Sequence, residues 1–395
     1  MSLIPRLKTY TGPVLLSYGF RPFFLLGAIY AGLAVLAWLP MFQGELELRT
    51  AFGPIDWHVH EMLYGYLPAV MTGFLLTAIP NWTGRLPIQG IPLLVLVAAW
   101  LAGRIAVTVS ADIGWLSAMI VDVGFLVLVV AAILREIVAG QNWRNLRVAA
   151  IVSLLLAGNV AFHLEAHFNG SAVYGLRVGI AAIVLLIMVI GGRIVPSFTR
   201  NWLVRENPGR LPAPLGPFDV SVIAFSAAAL ALWVAQPEGP NTAAALAAAG
   251  LANIVRLARW AGDRSWRDRL VLVLHVGYAF VPLGFLLTGA TSFGLIVAAA
   301  GVHAWTVGAA GTMTLAVMTR ASLGHTGHAL GASAMTQAIY AAVVVAALAR
   351  IAASLAPMWS GPLLSVTALG WCFAFFGFAV SFGPMLLGGH RPAGQ

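Results

Sequence analysis

Long apolar runs alternate with short polar segments along nearly the whole chain. Counted against the roughly 20 residues needed to cross a bilayer, they predict twelve spans. These lie near 21–40, 57–79, 88–108, 113–138, 147–168, 172–195, 217–236, 241–260, 270–290, 292–318, 333–355 and 361–388. The shortest division, at Ala290-Thr291-Ser292, separates spans 9 and 10. Span 2 breaks the apolar pattern, because its first turn carries His58, His60 and Glu61. Burying imidazole and carboxylate in hydrocarbon costs several kcal/mol unless they meet partners or a metal. Span 2 is therefore expected to host a site.

Composition agrees with the pattern. Of 395 residues, 60% are hydrophobic and 9% charged, whereas a soluble domain carries about a quarter charged residues. The expected fold is an all-α polytopic membrane protein forming a single transmembrane domain over 1–395. Thirteen Trp suit interfacial belts. One cysteine, Cys372, excludes an intramolecular disulfide and a thiolate cluster. Arg6 and Lys8 ahead of an apolar run resemble a signal peptide, but the run continues as a full span, so a retained first helix is expected.

The net charge of +9 first suggests nucleic acid, but its distribution points elsewhere. With the N-terminus in the cytoplasm, all but four of the 22 basic residues, Arg6, Lys8 and Arg391 among them, fall on inner segments. The exceptions are Arg49, Arg104, Arg177 and Arg350, outside or at outer helix ends, while Glu45, Glu47, Asp56, Asp112 and Glu238 occupy outer loops. This asymmetry places both termini in the cytoplasm. The implied partner is the lipid bilayer, and no nucleic acid is expected.

An internal repeat is also visible. IPNWT (79–83) at the inner end of span 2 resembles VPSFT (195–199) at the inner end of span 6. Span 10 aligns with span 2 without gaps, setting His303 on His60, Gly308 on Gly65, Thr326 on Thr83 and Gly327 on Gly84. Spans 2, 6 and 10 share one direction and stand four apart, which suggests three four-helix units about a pseudo-threefold axis.

Five of the nine histidines, His58, His60, His163, His167 and His303, lie in the outer halves of spans. His163 and His167 stand at i and i+4 on one helix face, a chelating spacing; the alternative leaves His167 at the wet end of span 5. His58 and His60 point to nearly opposite faces, so they serve two sites or only one is a ligand. On the predicted boundaries His303 is roughly 16 Å into span 10, where a ligand role is favoured. His275 near the inner end of span 9, with His325 and His328 after span 10, outlines an inner site; His390 in the tail is set aside. An imidazole-only set suits copper, zinc or haem iron. Arg104, Arg177 and Arg193 could meet haem propionates, or snorkel as interface anchors. Asp122 and Glu61 could relay protons or orient a histidine; an Arg104–Asp122 pair across spans 3 and 4 is the alternative.

GFRPFF (19–24), WHVHEM (57–62), GFLLTAIPNWTGR (73–85), NVAFHLE (159–165), GGRIVPSFT (191–199), HVGYAFVPLG (275–284) and HAWTVGAAGTMTLAVMTRASLGHTG (303–327) resemble the NnrS family throughout. The resemblance implies a bacterial inner-membrane protein with twelve spans, haem b and copper, linked to nitric oxide metabolism and nitrosative-stress resistance. It makes His58, His60, His163, His275, His303 and His325 the ligand candidates. More distantly the chain is similar to the haem–copper oxidase catalytic subunit, whose haem histidines lie on its second and tenth helices. The adjacent histidine pair on span 7 and the His-x-x-x-Tyr on span 6 of that subunit are missing here.

The expected function is a membrane haem b and copper protein that binds or acts on nitric oxide or a related nitrogen oxide, as a haem-dependent oxidoreductase if it turns over substrate. Its electron donor is not identified by the sequence. The alternative is a transporter of copper or a small anion using buried His and Arg.

Overall fold

In the computed structural model, which describes residues 10–388, every regular element among the described residues is helical. Arg6, Lys8, His390 and Arg391 lie outside the described residues. Eleven helical runs are long and apolar enough to cross a membrane, and by length and composition they make this a multi-pass membrane protein. We number them with one further run in chain order: α1 Phe20–Gln43, α2 Pro54–Thr83, α3 Ile91–Thr108, α4 Trp115–Ala139, α5 Leu146–Asn169, α6 Tyr174–Glu206, α7 Pro217–Ala235, α8 Pro240–Ala258, α9 Arg269–Ser292, α10 298–325, α11 Ala334–Leu355 and α12 Ser360–Leu387. Proline opens α2, α7 and α8, where its fixed φ and missing N–H fit the first turn. Asp268 caps α9 by accepting from Leu270 N and Val271 N at 2.9 and 3.2 Å.

The α9–α10 boundary differs from the sequence expectation. Thr291 and Ser292 are still helical, their hydroxyls bonding back to the carbonyls of Leu287 and Thr288 at 3.1 and 3.0 Å, and Ser292 is the last residue of α9. The turn comes instead at Gly294, with φ +80°, and α10 starts at Ala298. His303 is therefore about 8 Å along its helix rather than 16 Å.

The described residues divide into two compact units, one holding those up to Gly179 with Met318–Ala329 and 375–388, the other Ile180–Val317 and Leu330–Ala374. In the first, α1 packs on α2, α3 on α4, and α4 on α2 and α5. In the second, α8 packs between α7 and α9, and α10 lies against α9 and α11.

The likeness of spans 2 and 10 extends to the backbone. α2 changes from α to π winding at Glu61–Tyr66, directly after His60; α10 changes at Ala304–Gly311, directly after His303. At the other end, Thr83 and Thr326 each bond back four residues, to Ile79 O at 2.9 Å and Ser322 O at 2.7 Å. The aligned Gly84 and Gly327 both follow with left-handed φ, +69° and +79°. α6 keeps α winding throughout.

Close helix approach in the first unit depends on glycine. A Cβ on Gly103 of α3 would stand 3.1 Å from Asp122 Cα and 3.0 Å from its Oδ1 on α4, so α3 and α4 meet backbone to side chain there. Gly103→Ala is expected to destabilise by about 1–3 kcal/mol through overpacking. Gly124→Ala, where a Cβ meets nothing within 4 Å, should instead be neutral or stabilising. Thermal melts of the two detergent-solubilised variants check the contrast; equal melting temperatures would contradict it.

Candidate metal centre

The π segment of α2 creates the site. A π turn releases a carbonyl from the regular ladder, and here Trp100 Nε1 of α3 donates to Gly65 O at 2.9 Å. Gly65 also carries no Cβ to obstruct the Arg104 guanidinium. Arg104 can thus reach across to Glu61 on the same wide turn.

Five helices then converge in the first unit. Arg104 Nη1 donates to both oxygens of Glu61 at 2.7 Å, and its Nη2 donates to Asp122 Oδ1. Tyr30 of α1 donates its hydroxyl to Glu61 Oε2. His60 Nδ1 lies 2.9 Å from Glu61 Oε1, and its Nε2 lies 3.0 Å from Asn159 Oδ1 and 3.2 Å from Asp122 Oδ2. Asn159 Nδ2 donates to Asp122 Oδ2 at 2.8 Å, and His163 Nε2 is 3.1 Å from the same oxygen. His60, Glu61, Asp122 and Asn159 are at most 1% exposed.

Formal charge matters in such a place. Two carboxylates and one guanidinium leave one negative charge when both imidazoles are neutral. An uncompensated buried charge costs several kcal/mol, so the cluster favours one further positive charge, either a proton or a metal ion. His60, Asp122 and His163 each offer a ligand atom within 4.8 Å of the other two. Four-coordinate binding at 2.0–2.1 Å sets ligand atoms about 3.3 Å apart, and the two imidazole–carboxylate separations, 3.2 and 3.1 Å, fit. Two imidazoles and a carboxylate suit zinc, copper or iron.

The cluster has an aromatic cover. Phe52, in the α1–α2 loop, places its ring 5.2 Å from the His60 ring and 5.3 Å from that of His163. Phe162 stands 5.3 Å from His60. Neighbours of Phe52 fix the loop: Ala51 N donates to Ser110 Oγ at 2.8 Å, and Arg49 pairs with Asp112 at 2.7 Å.

The other candidate residues are dispersed. His58 stacks on Trp38 at 4.1 Å. His167 is exposed and stacks on Trp115 at 4.0 Å, so only His163 of the i, i+4 pair joins the cluster. In the second unit, His275 Nε2 meets Thr199 Oγ1 at 2.9 Å, while its buried Nδ1 has no hydrogen-bond partner among the described residues. His303 Nδ1 is 2.6 Å from Ala299 O, an oxygen that can only accept, so Nδ1 carries a proton. His325 lies between the rings of Tyr18 and Phe20, at 5.5 and 5.4 Å, and His328 Nδ1 meets Thr326 Oγ1 at 2.8 Å. Arg104 serves the two carboxylates. Arg177 lies over Tyr174 at 4.7 Å, and Arg193 is half-buried on α6.

Asn159 and Tyr30 escaped the sequence reading. Asn159 stands one turn before His163, a usable signal; Tyr30 lies in an apolar run and offers none. A second buried group was also missed: Arg256 bonds to Asp219 at 3.0 Å and to Tyr278 at 2.6 Å in the second unit.

Removing one partner of a buried charge network costs about 3–5 kcal/mol, whereas an exposed pair contributes about 1 kcal/mol or less. Arg104→Met is thus expected to lower the melting temperature steeply, and Arg49→Ala, which removes the 79% exposed partner of Asp112, barely at all. Similar losses in both variants would contradict the assignment of the network.

No curated protein matches the chain. A family model described as NnrS protein matches residues 14–389, almost the full length. The chain therefore belongs to the NnrS family.

Proposed function

We propose that the protein is a twelve-span inner-membrane metalloprotein that binds haem b and copper and acts on nitric oxide or a related nitrogen oxide. The observation that carries this reading is the buried His60, Asp122 and His163 triad. Membership of a family associated with nitric oxide metabolism supports it. The twelfth span is α10, and its likeness to α2 supports a repeated architecture.

Within the triad, His60 and His163 would hold a metal through Nε2 and Asp122 through Oδ2. Arg104 fixes Asp122 from its other oxygen, and Glu61 fixes His60 through Nδ1. Phe52 and Phe162 exclude water. In the second unit His303 is the proposed haem ligand, because a ligating histidine commonly donates its other N–H to a backbone carbonyl, as Nδ1 does to Ala299. When bound, such metals supply an open coordination position for a small diatomic ligand.

Metal-free protein titrated with copper or zinc is expected to take up one ion per chain in this site. His163→Ala and Asp122→Ala should each weaken binding by at least about tenfold, and His167→Ala should not. Equal affinities in all variants, read by isothermal titration, would move the site elsewhere. Phe52→Ala should leave the stoichiometry unchanged but speed metal release to a chelator. An unaltered release rate would remove Phe52 from the access route.

A further inference from the structure

α2 and α10 share a histidine followed at once by a π segment, but the surroundings of that histidine differ in one respect. In the first unit, Glu61 and Asp122 surround the Arg104 guanidinium. At the position of Glu61, α10 has Ala304. Asp268 is the last acid in the sequence, so α9, α10, α11 and α12 contain no Asp or Glu.

A cation nevertheless comes to the level of that histidine. A Cβ on Gly311 of α10 would lie 3.5 Å from Val343 Cγ2 of α11, which sets the register of this antiparallel pair. Two turns further, on the stripe of Val343, Ala346 and Ala347, is Arg350. Seven residues of α11 rise about 10 Å, which carries Arg350 to the level of His303. The offset that pairs His60 with His303 pairs Arg104 with Ala347, one turn before Arg350. Arg350 is half-buried, and among the described residues its side chain donates only to Ser354 Oγ, at 3.0 Å. Glu238, the acid of the α7–α8 loop at this end of the unit, is exposed. Arg104 is thus answered by two carboxylates of its own unit, whereas Arg350, unlike the Asp219-paired Arg256, meets no acid among the described residues.

We infer that the α10–α11 face of the second unit binds an oxyanion at the level of His303, with the Arg350 guanidinium taking its charge. A planar carboxylate matches the guanidinium fork. It can belong to a porphyrin side chain, in which case the inference rests on the haem reading above, or to a free inorganic ion such as nitrite. The competing account is that Arg350, about 8 Å from the end of α11, only snorkels to the membrane surface.

Full-length protein freed of haem is titrated with haemin and with haemin dimethyl ester, which lacks the carboxylates, in wild type, Arg350→Gln, Arg350→Lys and His303→Ala. Separately, nitrite is scored by the melting shift it causes. If the porphyrin supplies the carboxylate, Arg350→Gln weakens haemin by roughly 10–100-fold, the worth of a charge-assisted hydrogen bond. The ester then binds both proteins alike, and Arg350→Lys, which folds with its charge kept, falls between. If the ion is free, nitrite raises the melting temperature of wild type and not of Arg350→Gln. Wild type that binds no haemin, or His303→Ala that binds it fully, ends the haem reading and leaves the nitrite arm to decide the anion site. Haemin and nitrite responses that both ignore Arg350 overturn the inference.

Discussion

The first unit depends on one guanidinium held between two carboxylates in an apolar interior. Arg104 joins α2 to α4 through Glu61 and Asp122. Each of these three charges would be prohibitive alone. Together they are tolerable because every acidic oxygen also meets Tyr30, His60, Asn159 or His163, apart from the Asp122 oxygen that Arg104 itself occupies. Two backbone devices make the geometry attainable. The π segment widens the turn around Gly65 for the guanidinium, and Gly103 brings α3 onto Asp122. The network's leftover negative charge and its two imidazoles follow from the same arrangement, and they are what make a proposed metal site chemically sensible.

The same helix design recurs with the opposite electrostatics. α2 and α10 share the histidine, the π segment behind it, the back-bonded threonine and the left-handed glycine. In both helices the wide turn follows the histidine directly, whichever residues the neighbouring helices carry. Around His60 they carry acids, and around His303 they carry none. One backbone motif thus serves a cation-seeking environment in one unit and the proposed anion-seeking one in the other.

Much of this was legible in the sequence. The apolar runs marked the helices, and intramembrane ionisable residues singled out Glu61, Arg104, Asp122, His60 and His163, including the Arg104–Asp122 pairing across one hairpin. The gapless match of spans 2 and 10 anticipated a backbone likeness that no propensity predicts. Other features were hidden for physical reasons. Helix periodicity assumes α winding, so the π turns that follow His60 and His303 had no signature. The α9–α10 break was read a little early, because the back-bonding that keeps Thr291 and Ser292 helical cannot be seen in composition. Tyr30 joins the network only through tertiary contact, and Phe52 covers the two histidines from a loop whose course is set by Ser110 and Asp112.

The most direct test of the proposed centre is X-ray absorption spectroscopy at the edge of the metal bound to purified protein. The account predicts a first shell of nitrogen and oxygen at about 2.0–2.1 Å, with outer-shell scattering from two imidazoles that falls to one in His163→Ala. A sulfur shell, or a spectrum that His163→Ala leaves unchanged, would contradict it.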